Sequence, residues 1–169
     1  MKLKDWIKNV TENKEAIVIM EESESRIKRA YTELLSGYNQ DPSKILNETI
    51  RVKDYYGIVI EKEIQFTSIC GHHFLPFFGT IDIAYEPGEI ITGLGKLPRL
   101  VQIYARRFQI QEILVKEIAE EISKSIGAKG VCVRATATHL CMHSRGPQDR
   151  TVKTTCEYKI GTLKEKNVF

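Results

Sequence analysis

Apolar and polar residues recur along this chain with two different periods, and the period changes at definable points. Residues 2–12 (KLKDWIKNVTE) put Leu3, Trp6, Ile7 and Val10 on one face of a short helix. A second helix is expected from Ser23 or Ser25, either of which can cap it. Ile27, Ala30, Tyr31 and Leu34 then recur at helical spacing, with Gly37 as the stop. Asp41-Pro42 opens a turn or a short helix through Leu46. The period then shortens. Residues 57–70 (GIVIEKEIQFTSIC) alternate as a strand, and 79–86 (GTIDIAYE) form a second one, ended by Pro87-Gly88. Residues 96–126 return to helical spacing: Leu114, Ile118, Ile122 and Ile126 step by four, and Val115 and Ala119 widen the apolar stripe. Pro98 suits a first helical turn, a break near Phe108–Ile110 divides the stretch into two helices, and Gly127 and Gly130 end it. Residues 131–141 (VCVRATATHLC) and 151–160 (TVKTTCEYKI) read as two more strands.

Helices, two strands, two helices and two strands make an α+β chain with an antiparallel four-stranded sheet and helices on one face. The expected organisation is a single domain with an N-terminal helical segment over 1–50, a sheet-and-helix body over 51–163 and a polar tail over 164–169. Such a sheet leaves two open edges, for which symmetric assembly into a closed ring is one solution.

Composition narrows the picture. The chain has 169 residues, 42% of them apolar and 28% charged, which suits one soluble domain with a sizeable core. No apolar run is long enough to cross a bilayer, and no apolar segment follows the lysines of Met1–Trp6 as in a secretory signal. The expected location is the cytoplasm, with no membrane partner. The net charge is +3, with acidic and basic residues interleaved, so nucleic acid is not an expected partner. A small anionic ligand stays compatible, because a few focused cations suffice for one.

The chemistry concentrates at two clusters. Cys70-Gly71-His72-His73 offers a thiol and two imidazoles; Gly71 can relax the backbone so that either histidine turns toward the cysteine. His139-Leu140-Cys141 has a spacing of two, which puts both side chains on one face of a strand. Two thiolates with an imidazole make a soft donor set that suits zinc. Four protein ligands would make such an ion structural, and three would leave a position open for water. Cys132 and Cys156 lie in alternating runs and read as small core residues. Gly93-Leu94-Gly95-Lys96 with Arg99 can hold a phosphate chain or simply form a tight turn among solvated cations. Glu112, beside Gln111 at a helix start, can compensate the helix dipole or accept two hydrogen bonds from a guanine edge.

Taken together, SICGHHFLPFFGTIDIAYEPG (68–88), GLGKLPRLVQIYARRFQIQE (93–112) and ATHLCMHSRG (137–146) resemble GTP cyclohydrolase I, and SRIKRAYTELLSGY (25–38) looks like that family's N-terminal helix. The resemblance runs from about Arg26 to Gly161. It implies a tunnelling fold, a ββααββ unit whose sheets close into a barrel on oligomerisation, usually as a homodecamer with active sites at subunit boundaries. It implies zinc held by Cys70, His73 and Cys141, with His72 beside the metal and His139 as the acid that protonates the purine N7. It implies that Glu112 with Gln111 holds the guanine, and that Lys96, Arg99 and Arg145 bind the triphosphate, joined by Arg26 from a neighbouring subunit. The implied substrate is GTP, opened at C8 with release of formate and rebuilt as dihydroneopterin triphosphate. Three positions depart from the family pattern: Gly71 replaces a glutamate, Gly95 a serine, and Pro147 a hydrophobic residue.

Overall fold

The computed structural model describes residues 3–47 and 49–169. The expected helix start at Lys2 lies outside the described residues. The chain divides into two compact units, 1–34 and 35–169. The first holds α1 (Leu3–Val10) and α2 (Lys14–Leu34), which pack against each other. Helix α2 begins nine residues before Ser23 because Asn13 caps it: the Asn13 side-chain oxygen accepts from Ala16 N–H at 2.9 Å. Arg26 sits exposed on this helix.

The second unit begins with two 3₁₀ turns, Ser36–Asn39 and Pro42–Lys44, both packed on the first of its long helices. Leu46 is fully buried in the main core, so the boundary lies after Leu34 and not at residue 50. The elements that follow are β1 (Thr49–Arg51), β2 (Val59–Cys70), β3 (Pro76–Glu86), β4 (Ile90–Thr92), α3 (Lys96–Ala105), β5 (Phe108–Gln109), α4 (Gln111–Ile126), β6 (Gly130–His139), α5 (Leu140–His143) and β7 (Thr154–Gly161). Helix α4 stops at Gly127, whose φ of 60° is the left-handed conformation glycine adopts freely.

The main sheet has five strands in the order β5-β2-β3-β6-β7. Four are the expected antiparallel strands. The fifth, β5, is a two-residue parallel partner that pairs Phe108 and Gln109 with Ile69 and Cys70 at the end of β2. It occupies the break anticipated between the two helices. Strands β1 and β4 form a separate antiparallel pair that was not anticipated; three residues each are too few to show a period. Because β5 covers only the end of β2, most of β2 and the outer side of β7 remain sheet edges among the described residues.

Alternation along the strands builds the layers. Val131, Val133, Ala135 and Ala137 of β6 face α4, joining Ile118, Ile122, Leu97 and Leu100 in the main core. Cys132 points to the other face and is fully buried. What covers it is the C-terminal segment: Leu163 is fully buried against Ala84 and Cys132, with Val168 and Phe169 packed on them. The Arg134 guanidinium lies 4.7 Å from the centroid of Phe169. Residues 164–169 are therefore not a free polar tail; two apolar residues at the end give the segment a reason to return to the sheet.

Candidate active site

The site forms at the end of the sheet where β2 turns into β3 and β6 ends. Cys70 N–H donates to the Leu75 carbonyl at 2.9 Å, and His73 and Phe74 N–H groups donate back to the Cys70 carbonyl at 3.3 and 2.9 Å. This tight turn folds His73 back over the strand it has just left. The His73 Nδ1 lies 3.8 Å from Cys70 Sγ, and the His72 Nδ1 lies 4.0 Å from it. The relaxation expected at Gly71 is small, since its φ is not in the left-handed region; Phe74, at φ 55°, absorbs the reversal.

The second cluster differs from its expected form. Strand β6 stops at His139, and Leu140–His143 make one helical turn, so His139 and Cys141 do not share a strand face. That turn tucks Cys141 inward, where it is buried, and brings its sulfur to Cys70. The ligand atoms of Cys70, His73 and Cys141 all lie within 4.8 Å of one another. Burial pushes the Cys141 thiol above its ordinary range, and the neighbouring Cys70 sulfur raises it further while Arg145 opposes. Two adjacent buried thiols resist ionising together unless a cation sits between them, and the same set with one imidazole is a soft three-donor cradle.

His139 stands beside this cradle. It is the direct cross-strand partner of Phe77, and the two rings stack with centroids 4.5 Å apart. Burial holds the imidazole below its ordinary value, while the Glu112 carboxylate pulls it part of the way back. The same carboxylate, together with burial as the larger cause, raises the Cys156 thiol, so Cys156 faces the site end of α4 and is only partly buried. Glu112 is exposed in the first turn of α4.

Gln111 does not join it. Its side chain is buried and all its hydrogen bonds are internal: the amide nitrogen donates to the Ala135 and Thr154 carbonyls at 2.9 and 3.0 Å, and Oε1 lies 2.7 Å from His139 Nε2. Both donors of this side chain are thus used inside the protein, and its oxygen faces His139 rather than solvent. Phe77 and the Gln111–His139 contact escaped sequence reading. The signal for the first was present, since placing the hairpin turn at 71–75 fixes the register of β3.

Arg145 follows α5 and acts on Cys141, so it belongs to this end of the sheet. Lys96 opens α3, and Arg99 lies within its first turn. Strand β3 starts at the site and runs away from it to Glu86; α3 begins beyond that far end and needs its ten residues to return to β5. Arg99 lines a hollow with Ser36, Gln40, Ile45, Gln102 and Arg106.

A solved structure described as an archaeosine synthase QueF-Like in the apo form superposes with a TM-score of 0.50 at 16% identity, covering 63% of this chain and 95% of that one. The likeness concerns the fold alone, and the class it defines is the tunnelling fold, here carrying a Cys/His centre at one end of the sheet. The chain belongs to the GTP cyclohydrolase I family, whose model matches residues 1–168. Among curated relatives, the GTP cyclohydrolase 1 of Campylobacter lari is 42% identical over 139 residues, which is 82% of this chain and 73% of that protein. The enzyme of the same name from Porphyromonas gingivalis is 43% identical over 140 residues, 83% of this chain and 72% of that protein. That from Rickettsia massiliae is 46% identical over 138 residues, 79% and 71% of the two chains.

Proposed function

We propose that this chain is a zinc-dependent hydrolase that opens GTP at C8, releases that carbon as formate and forms 7,8-dihydroneopterin triphosphate, the first step of a pterin- or folate-type biosynthesis. Family membership supports the reaction, and the single observation that carries its chemistry is the convergence of Cys70, His73 and Cys141 within 4.8 Å. These three residues would hold the zinc. When bound, the ion supplies a Lewis acid beside which water ionises near neutral pH.

The chain's own residues do the rest. His139 gives a proton to the purine N7, which makes C8 electrophilic and lets water add there; the C8–N9 bond then opens. A second water cleaves the formamide and C8 leaves as formate. The ribose rearranges and closes onto the freed amine with loss of water, so the net uptake is one water per formate. Glu112 accepts hydrogen bonds from the guanine N1–H and amino group. His72 sits next to the zinc ligands. Arg145 meets the triphosphate on the same side as Cys141.

Lys96 and Arg99 reach the triphosphate from a second copy, as does Arg26. The open edges of β2 and β7 support ring closure by a homo-oligomer, a decamer on the family pattern, with the site completed across a subunit boundary. No helix among the described residues is long and apolar enough to cross a membrane, which agrees with a cytoplasmic enzyme. The test is incubation of zinc-loaded protein with GTP, following formate release and pterin fluorescence after oxidation. Both together are expected; bound zinc with neither product would reject the reading, and formate without pterin would limit it to ring opening.

A further inference from the structure

Gln111 has 2% of its surface exposed and three hydrogen-bond partners, each of which constrains the next. Its amide nitrogen lies 2.9 Å from the Ala135 carbonyl oxygen and 3.0 Å from the Thr154 carbonyl oxygen. Backbone carbonyls only accept, so both amide hydrogens are used and the amide has one orientation; flipping it would turn Oε1 against two lone-pair oxygens. Oε1 therefore faces His139 Nε2, at 2.7 Å. An amide oxygen has no proton to give, so the imidazole must supply it. The ring plane is fixed separately by Phe77, 5° from parallel on its face. Among the described residues Nδ1 of His139 has no hydrogen-bond partner.

We infer that Gln111 is a positioning residue that locks His139 as its Nε2–H tautomer, so that Nδ1 is the one nitrogen of this ring through which a proton passes to the purine. The inference rests on the proposed function and deepens it. The proton balance is simple. Charged His139 carries hydrogens on both nitrogens; Nδ1–H gives its proton to N7, and the ring is left neutral with Nε2–H still bonded to Gln111. Nothing passes through the amide, whose oxygen accepts equally from either state of the ring. The sheet backbone at Ala135 and Thr154 thus selects, through one amide, which atom of the acid meets the substrate. Both amide hydrogens of Gln111 are spent on the Ala135 and Thr154 carbonyls, so its side chain has no donor left for a guanine.

The experiment uses full-length, zinc-loaded protein labelled with ¹⁵N-histidine, with His139→Ala to assign the signal. Magic-angle-spinning NMR at a pH where the ring is neutral should show Nε2 protonated and Nδ1 bare. Gln111→Met should lower kcat for formate release by about 10²-fold, the low end of what a positioned acid contributes. KM for GTP should stay within about twofold, as for an interaction absent from ground-state binding. Zinc content should be unchanged, and the His139 signals should shift toward a mixture of tautomers. An Nδ1–H tautomer in the parent protein overturns the inference, as does a raised KM with kcat retained. If Gln111→Met does not fold, the parent tautomer alone decides. A protein with the Nε2–H tautomer but no turnover of GTP would uphold the lock and sink the functional reading.

Discussion

The imidazole of His139 and the ring of Phe77 lie face to face, 4.5 Å between centroids, because the two residues are directly opposed in the β3–β6 ladder. Strand register, and not a loop, places the proposed acid. A slip of one residue would turn His139 to the other face of the sheet. Gly79 helps to hold that register: a Cβ there would run into the Thr136 carbonyl oxygen of β6.

Phe77→Leu removes the stacking surface while keeping the site apolar. Phe77 is fully buried, so the substitution should cost about 1–2 kcal/mol in denaturant unfolding. Formate release should fall by about tenfold with zinc content intact, since a loosened ring leaves the attack geometry without touching the cradle. An unchanged rate would show that the stack is only packing.

Cys141→Ala should lose metal and activity together, measured by elemental analysis and formate release. His139→Ala should keep zinc and abolish ring opening. A metal-retaining, active Cys141→Ala would refute the ligand set, and a His139→Ala of normal rate would remove the acid from the mechanism.

Mixing two inactive variants tests the shared site. Lys96→Ala removes a proposed triphosphate-binding cation, and Cys141→Ala a proposed metal ligand. Co-assembled from unfolded or co-expressed chains, they should regain measurable activity, because some boundaries then combine an intact cradle with intact cations. No recovery in verified mixed oligomers would mean that one chain supplies the whole site.

Acid stability should carry a mark of His139. Its folded value is depressed, by burial first, with Glu112 opposing. The unfolded chain therefore binds the proton more readily, and stability is present above the unfolded value of about 6.5 and declines as pH falls through the folded one. His139→Gln should flatten the slope of unfolding free energy in that window in metal-free protein; an unaltered slope would contradict the depressed value.

Cys132 should resist alkylation. Burial pushes its thiol up to about 11, with Glu157 adding to the rise. At pH 8 it is almost wholly protonated as well as covered. Deleting residues 163–169 removes the C-terminal part of its cover and should make it react faster with iodoacetamide, read by mass spectrometry, without loss of zinc. Rapid labelling in the intact chain would mean that the C-terminal segment does not cover the sheet.

Long elements were legible because their apolar periods are unbroken: α4, β2 and β6 each repeat over many residues. What escaped were features set by partners elsewhere in space. The pair β1–β4 and the two-residue β5 exist through tertiary pairing and have no period of their own. The start of α2 was misplaced because Asn13 was overlooked in favour of two serines inside the helix. Cys70, His73 and Cys141, which converge in the fold, were visible as Cys/His clusters, but the helical turn at Cys141 was hidden by a spacing of two that also suits a strand. Gln111 was read from its neighbour Glu112; burial alone separates their roles.

Cys70 closes one strand and Cys141 follows another, with β3 lying between them. A nascent chain that has finished the first hairpin can offer an ion only one thiol and loose imidazoles; the second thiol lies 71 residues after the first and comes into place when β6 has zipped onto β3. Capture of a cation by this cluster would therefore report that β6 has docked on β3 in the right register, and a molecule with those strands misaligned would stay unloaded.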